Sequence, residues 1–322
     1  MPLAAAIASG LVAALLYLSV LTGSLGALIL VYLVQLPLFA AGLSLGAKAV
    51  LVAGGTATLV ATAAGGVTSG VLFCLAEAVP PIVLVAQALR WQSEQTGAVA
   101  WYPPGRLVLW LTALGTAALV AAALLLIGTP EGFRGAVRGL LAGQIGELLG
   151  SAAEAGPGTS SGTPGGPSPR ADLVEALTAF FPAMAACSWL VMTAINGILA
   201  QGVLARFALN RRPAPDIAAL TLPRWPAAAL AASLIVAFAA GGDLAYLAGN
   251  LAPVLTLPFV FAGLAVLHAV LRRHAGRVFI LVPAYVSLLL GWPVLLVAAC
   301  GMIDQWFGLR QRFAAIPPRQ GE

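Results

Sequence analysis

A chain of 322 residues that is 61% apolar and only 8% charged, with a mean hydropathy of +0.99, falls outside the soluble globular proteins, in which roughly 25% of residues are charged. Its net charge of +5 comes from basic residues scattered between apolar runs and not from one stripe, so it reads as a topology signal and excludes a nucleic-acid footprint. The partner it implies is a lipid bilayer.

Read with a window of about 19 residues, apolar helices are expected near 3–22, 25–46, 49–65 and 67–89. Thr22-Gly23-Ser24, Gly46-Ala47-Lys48 and Gly65-Gly66 separate them, as tight helix-to-helix connections do. The first segment has no Lys or Arg ahead of it and outruns a signal-peptide core, so it is expected to stay as a span. After a polar loop over 90–106 come a fifth span at 107–127 and a long stretch outside the membrane, 128–174. There Phe133, Val137, Leu140, Leu141, Ile145 and Leu148 recur at three- and four-residue spacing, with Glu131, Arg134, Arg138 and Glu147 elsewhere on the wheel. That pattern predicts an amphipathic helix over 131–150, lying on the membrane surface or capping the bundle. From Ala155 to Pro169 the chain is Gly, Pro, Ser and Thr with hardly any apolar residue, a tether.

Further spans are expected at 176–204, 225–241 and 250–271, and the closing run 278–309 is too long for one. Arg272, Arg273 and Arg277 precede that run, while Arg310 and Arg312 follow it. The positive-inside rule wants both clusters on one side, and Gly291-Trp292-Pro293 supplies the turn. The expected fold class is an all-α integral membrane protein, a polytopic bundle of about ten transmembrane helices with both termini inside and one amphipathic periplasmic helix. Its expected domains are an N-terminal five-helix half over 1–127, a periplasmic loop over 128–174 and a C-terminal five-helix half over 175–322. Thirteen basic residues then lie inside and only Arg134, Arg138 and Arg170 outside.

Glu77 stands about ten residues into the fourth span, with no Lys or Arg in the central part of any span. A bare carboxylate there costs several kcal/mol, so Glu77 should be held neutral or face a wet cavity. The plainer alternative is a neutral carboxyl bonding a neighbouring helix. Pro80-Pro81 interrupts the helix within one turn and frees carbonyls, as in the broken helices of transporter sites. Gln35 beside Pro37, Asn196 and Asn250 are further candidates for the same substrate-binding cavity. Each alone also reads as an interhelical hydrogen bond, and Asn250 as a helix cap.

Cys74, Cys187 and Cys300 sit inside apolar runs without a CxxC or His-rich pattern and are expected as free thiols. His268 and His274 stand beside the Arg272 and Arg273 cluster and read as interfacial, and Asp304 is expected to pair with Arg310. Trp91, Trp101, Tyr102, Trp110, Trp225 and Trp306 read chiefly as interface anchors, with Trp189 inside a span. No HExxH, GxSxG, P-loop or paired-acid metal motif occurs, so no enzyme, cofactor or metal site is expected.

Trp101-Tyr102-Pro103-Pro104-Gly105-Arg106 ahead of a span, and Gly301-x-x-Asp304-x-Trp306-x-x-x-Arg310 closing the last one, resemble the YybS-like family of uncharacterised bacterial inner-membrane proteins, with a similar span layout over most of the chain. Fifteen Arg against one Lys, with abundant Ala and Gly, is the usage of a GC-rich bacterial genome and bears on source alone. The resemblance implies a distant relation to the S components of energy-coupling-factor vitamin transporters and to the rod-shape protein MreD. It also implies a substrate-binding bundle without its own ATPase, although S components have fewer spans. S components dock on a membrane partner through a small-residue face of the first helix, and Ala4-x-x-x-Ala8 and Ala6-x-x-x-Gly10 would suit such docking. The same spacing recurs at Gly42/Gly46 and Gly66/Gly70, and internal packing is the plainer reading of each. Two functions remain open: a transporter or substrate-binding subunit for a small, amphiphilic molecule, and a non-catalytic scaffold of an envelope or cell-shape complex.

Overall fold

In a bilayer every backbone N–H and C=O must be satisfied internally, and the apolar runs meet this demand as helices. The computed structural model describes residues 2–22, 24–93, 99–154, 169–272, 276–288 and 290–310. Among them the chain forms α1 (Pro2–Leu18), α2 (Leu25–Val31), α3 (Gln35–Leu45), α4 (Ala47–Phe73), α5 (Val79–Ala88), α6 (Pro104–Leu126), α7 (Gly132–Glu154), α8 (Pro169–Arg206), α9 (Trp225–Ala239), α10 (Gly242–Leu271), α11 (Arg277–Leu288) and α12 (Trp292–Phe307). Where a plain loop was expected, β1 (Trp91–Ser93) pairs antiparallel with β2 (Val99–Trp101), Trp91 opposite Trp101. By length and composition four stretches can cross a membrane, 47–88, 104–126, 170–206 and 242–271, or five with the α11/α12 pair, which is bent by 116°. The chain is an all-α membrane protein.

The 42-residue stretch 47–88 is not a straight rod. Gly66 has φ +80° and ψ 175°, a conformation essentially reserved for glycine. A Cβ on Gly54 would stand 3.3 Å from Ala78 Cβ and 3.2 Å from Ile82 Cδ1, and one on Gly70 would run into Thr62. The pairs 54/78 and 62/70 are both centred on residue 66, so the chain folds back there into two antiparallel arms. This is the break that Gly65-Gly66 predicts.

Two compact units result. One comprises Met1–Leu114, Leu190–Pro223 and Pro258–Glu322. Its core collects small, branched and aromatic side chains, among them Ala13, Leu38, Phe39, Val50, Ala57 and Phe73. Gly10 is pressed against the Ala53 carbonyl, so the Ala6/Gly10 pair serves internal packing, while Ala4 and Ala8 are exposed. α10 and α12 cross equally closely, with Gly263 on the Val297 carbonyl and Gly301 on that of Phe259.

The other unit comprises Gly115–Trp189 and Arg224–Leu257. Here α7 buries Phe133 against Tyr246, ring centroids 5.2 Å apart, with Ala123 beside them. Asp243 caps α7, its carboxylate accepting from the Phe133 N–H at 2.7 Å and the Arg134 N–H at 3.0 Å. The cap satisfies two N–H groups that no helical partner reaches. The expected tether lies outside the described residues except for Pro169, which opens α8 earlier than the expected start at 176. Arg273, His274 and Arg312 lie outside them as well.

Candidate functional site

Glu77 sits in a five-residue π-helical stretch, Cys74–Ala78, just ahead of Pro80 and Pro81. Those prolines bring no N–H to the ladder, which leaves carbonyls one turn earlier without helical donors. Gln35 Nε2 donates to one of them, the Ala76 carbonyl, at 3.2 Å. The same side chain hydrogen-bonds the Glu77 carboxyl. Both residues are buried, and Glu77 Oε2 and Gln35 Oε1 have no hydrogen-bond partner. The pair therefore keeps acceptor capacity unused.

Asn196 of α8 is buried as well. Its Nδ2 donates to the Tyr32 carbonyl at 2.6 Å and to the Met192 carbonyl at 2.9 Å. Tyr32 lies in the break between α2 and α3, so the bond ties α8 to the chain just ahead of Gln35. Asn196 Oδ1 is unpartnered.

Asn250 belongs to the second unit and has a different task. Pro182 inside α8 has no N–H for the Thr178 carbonyl, which accepts instead from the Tyr246 hydroxyl at 2.6 Å. At the next rung the Asn250 amide bonds both helical partners. Its Oδ1 accepts from the Ala183 N–H at 3.0 Å, and its Nδ2 donates to the Ala179 carbonyl at 3.3 Å and to that of Tyr246 at 2.9 Å. Asn250 repairs a proline break.

A cavity of about 360 Å³ opens in the first unit, within the roughly 300–1,000 Å³ range of small-molecule sites. Phe39, Val85, Leu107, Leu111 and Ile198 form apolar walls, and the loop carrying Arg212 and Pro215 covers one end. Glu77, Gln35, Asn196 and Asn250 are not among its lining residues. Phe39 is four residues along α3 from Gln35, however, and the lining residues Thr193 and Gly197 flank Asn196.

Arg212 is the cavity's polar end and is only 5% exposed. Its Nη1 donates to the Ala88 carbonyl at 3.0 Å and its Nη2 to the Tyr102 carbonyl at 2.7 Å. Its own carbonyl accepts from Gln201 Nε2 at 2.8 Å and Asn210 Nδ2 at 2.6 Å. Burial pushes the guanidinium below its usual pKa, though an arginine stays charged. Arg211 holds the same end, donating from its backbone to the Leu43 carbonyl at 3.0 Å and from Nε to that of Ser44 at 3.1 Å. Arg310 pairs with buried Asp304 at 2.6 Å, as expected, and donates to the Ala218 carbonyl at 2.9 Å and to that of Leu220. Arg272 reaches Asp216 at 3.4 Å. In the Trp101–Arg106 motif, Tyr102 also accepts from Trp110 Nε1 at 3.1 Å and Gly105 presses on the Thr221 carbonyl.

The sequence marks Arg212 only as a basic loop residue, since its partners are 124 and 110 residues away. Tyr246 and Asp243 carry no local signal for the same reason. His268 Nε2 lies 2.8 Å from the Tyr285 hydroxyl, a specific partner where interfacial solvation was expected. Cys74, Cys187 and Cys300 are free.

A family described as a predicted membrane protein (DUF2232) matches residues 168–305, under half of the chain, and its description names no activity. No curated protein and no solved structure matches the chain.

Proposed function

We propose that the chain is a non-enzymatic, multi-pass membrane transporter, or a substrate-binding membrane subunit, for a small amphiphilic molecule held in the cavity of the first unit. The observation that carries this is the form of the cavity. Along α8 its lining runs from Thr193 to Gly202, about 14 Å of helix at 1.5 Å per residue, with apolar walls and one polar end at Arg212. The Glu77–Gln35 pair, about 6 Å along α3 from Phe39 by the same rise, is the titratable group coupled to occupancy. The S-component resemblance supports the same reading.

The proposal includes ten spans with both termini inside. It is supported by the way the connections assigned to the inside, around Ser44, Tyr102, Arg212, Arg272 and Arg310, bond to one another or to one shared loop. Native mass spectrometry of gently extracted protein is expected to show a co-purifying small molecule. Glu77→Gln, which keeps volume but deletes the titratable charge, should fold yet lose that ligand. A protein repeatedly free of ligand that stably pulls down envelope-synthesis proteins would overturn the reading in favour of a scaffold. A fully functional Glu77→Gln variant would remove Glu77 from the mechanism.

A further inference from the structure

Resting on that reading of the cavity, we infer that the bound molecule carries an anionic head, a carboxylate or phosphate on an alkyl chain, and that Arg212 is its anchor. Arg212 is a buried charge with no ion-pair partner among the described residues. Arg212 and Arg310 perform similar tasks at the same end of the unit, each donating to two backbone carbonyls of distant segments. Arg310 has Asp304 against it. The ion pairs among the described residues are Arg134–Glu175, Arg138–Glu175, Arg272–Asp216 and Arg310–Asp304, and Arg212 is in none of them.

A buried cation without a counter-ion is costly. The carboxyl end of α5, which Ala88 closes, offers only about half a negative charge. Among the described residues, the carboxylates bonded to this end, Asp216 and Asp304, are already paired with other arginines, and the ligand's head supplies the missing charge. Two of the five guanidinium N–H groups are engaged with protein carbonyls, which leaves donors for an oxyanion. Thr193, nine residues back along the lining from Gly202, is fully buried with its hydroxyl unpartnered. It is a second polar contact for a ligand that is otherwise sheathed in apolar side chains.

The test uses the full chain in phosphatidylcholine nanodiscs and scintillation-proximity binding of tritiated dodecanoate and tritiated dodecanol. Wild type is expected to bind the acid at least tenfold more tightly than the alcohol. Arg212→Gln should weaken dodecanoate at least tenfold and leave dodecanol within twofold, which also shows that the variant folds, while Arg212→Lys should keep the preference for the acid. Gly202→Phe fills the lining from a position with no neighbouring atom within 4 Å and should abolish both. Displacement of dodecanoate by phosphatidylglycerol would identify the head as that of a bilayer lipid, and lack of displacement as that of a free single-chain acid; either supports the anionic class. Equal affinity for acid and alcohol in wild type, or equal weakening of both by Arg212→Gln, overturns the anion site and leaves the cavity as a neutral binder. Binding of neither probe, or binding indifferent to Gly202→Phe, overturns the cavity reading itself.

Discussion

Replacing Asn250 by leucine is expected to strand two backbone groups of α8 at once. The Ala183 N–H loses its acceptor and the Ala179 carbonyl its donor, and Pro182 prevents the helix from closing over them. Interhelical hydrogen bonds in membranes average about 0.6 kcal/mol and reach about 1.7, so the pair should cost about 1–3 kcal/mol. The upper part of that range applies because Asn250 is buried and no water replaces the amide. The decisive experiment is a double-mutant cycle with Pro182→Ala, which restores an N–H at residue 182 and lets the ladder run on to Ala183. In that background Asn250→Leu should cost less than about 0.5 kcal/mol, the level at which independent sites add. Unfolding in detergent–lipid bicelles, followed by tryptophan fluorescence, measures all four corners. If Asn250→Leu costs as much in the Pro182→Ala background as it does with the proline in place, the account of Asn250 as a repair is wrong.

Gly66→Ala should destabilise the protein by about 1–3 kcal/mol, since its backbone lies in a region that only glycine adopts without strain. Gly55→Ala, with no atom within 4 Å of the new methyl, should stay within about 0.5 kcal/mol; similar midpoints for the two variants in thermal denaturation would contradict the hairpin turn. In a background without the native cysteines, cysteine at Gly162 should be labelled by an impermeant maleimide added from the periplasmic side and cysteine at Ala214 should be protected. Equal labelling of the two would end the ten-span proposal, because the loops that hold them flank one span.

Part of the fold is legible because its cause is local. A glycine pair between two apolar runs marks the fold-back at Gly66, where a positive φ is required. Asp304 and Arg310 are six residues apart and find each other across one helix end. The three- and four-residue spacing of Phe133, Val137, Leu140 and Leu141 predicts a helix over 131–150, and α7 forms over Gly132–Glu154. The residue types at membrane depth are equally plain, since each polar group among apolar neighbours needs a partner.

Which partner each one finds is a different matter. Gln35 meets the chain at Ala76, Asn196 meets Tyr32 and Asn250 meets Ala183, and nothing in the local sequence distinguishes these pairings from others of like chemistry. Along the chain Glu77 stands apart by its charge, while Gln35, Asn196 and Asn250 each read as a cavity candidate or an interhelical bond. The structure sets Glu77 with Gln35, uses Asn196 as a tie and spends Asn250 on a proline break. Arg212 shows the same limit in reverse, for a basic loop residue became a buried cavity end only once helices distant in sequence had packed around it.

The sequence by itself determined that this chain is a helical membrane protein and that its apolar helices break at Gly46, Gly66 and Gly291, though not at Tyr32 between α2 and α3, because hydropathy, glycine and proline act on neighbours within a turn or two. Only the tertiary structure decided which buried polar groups are spent on backbone repair and which remain free beside a cavity. Hydrogen bonds and ion pairs between helices depend on contact between segments that are 41 to 164 residues apart in the chain, as for Gln35 with Ala76 and Asn196 with Tyr32, and composition carries no record of that contact.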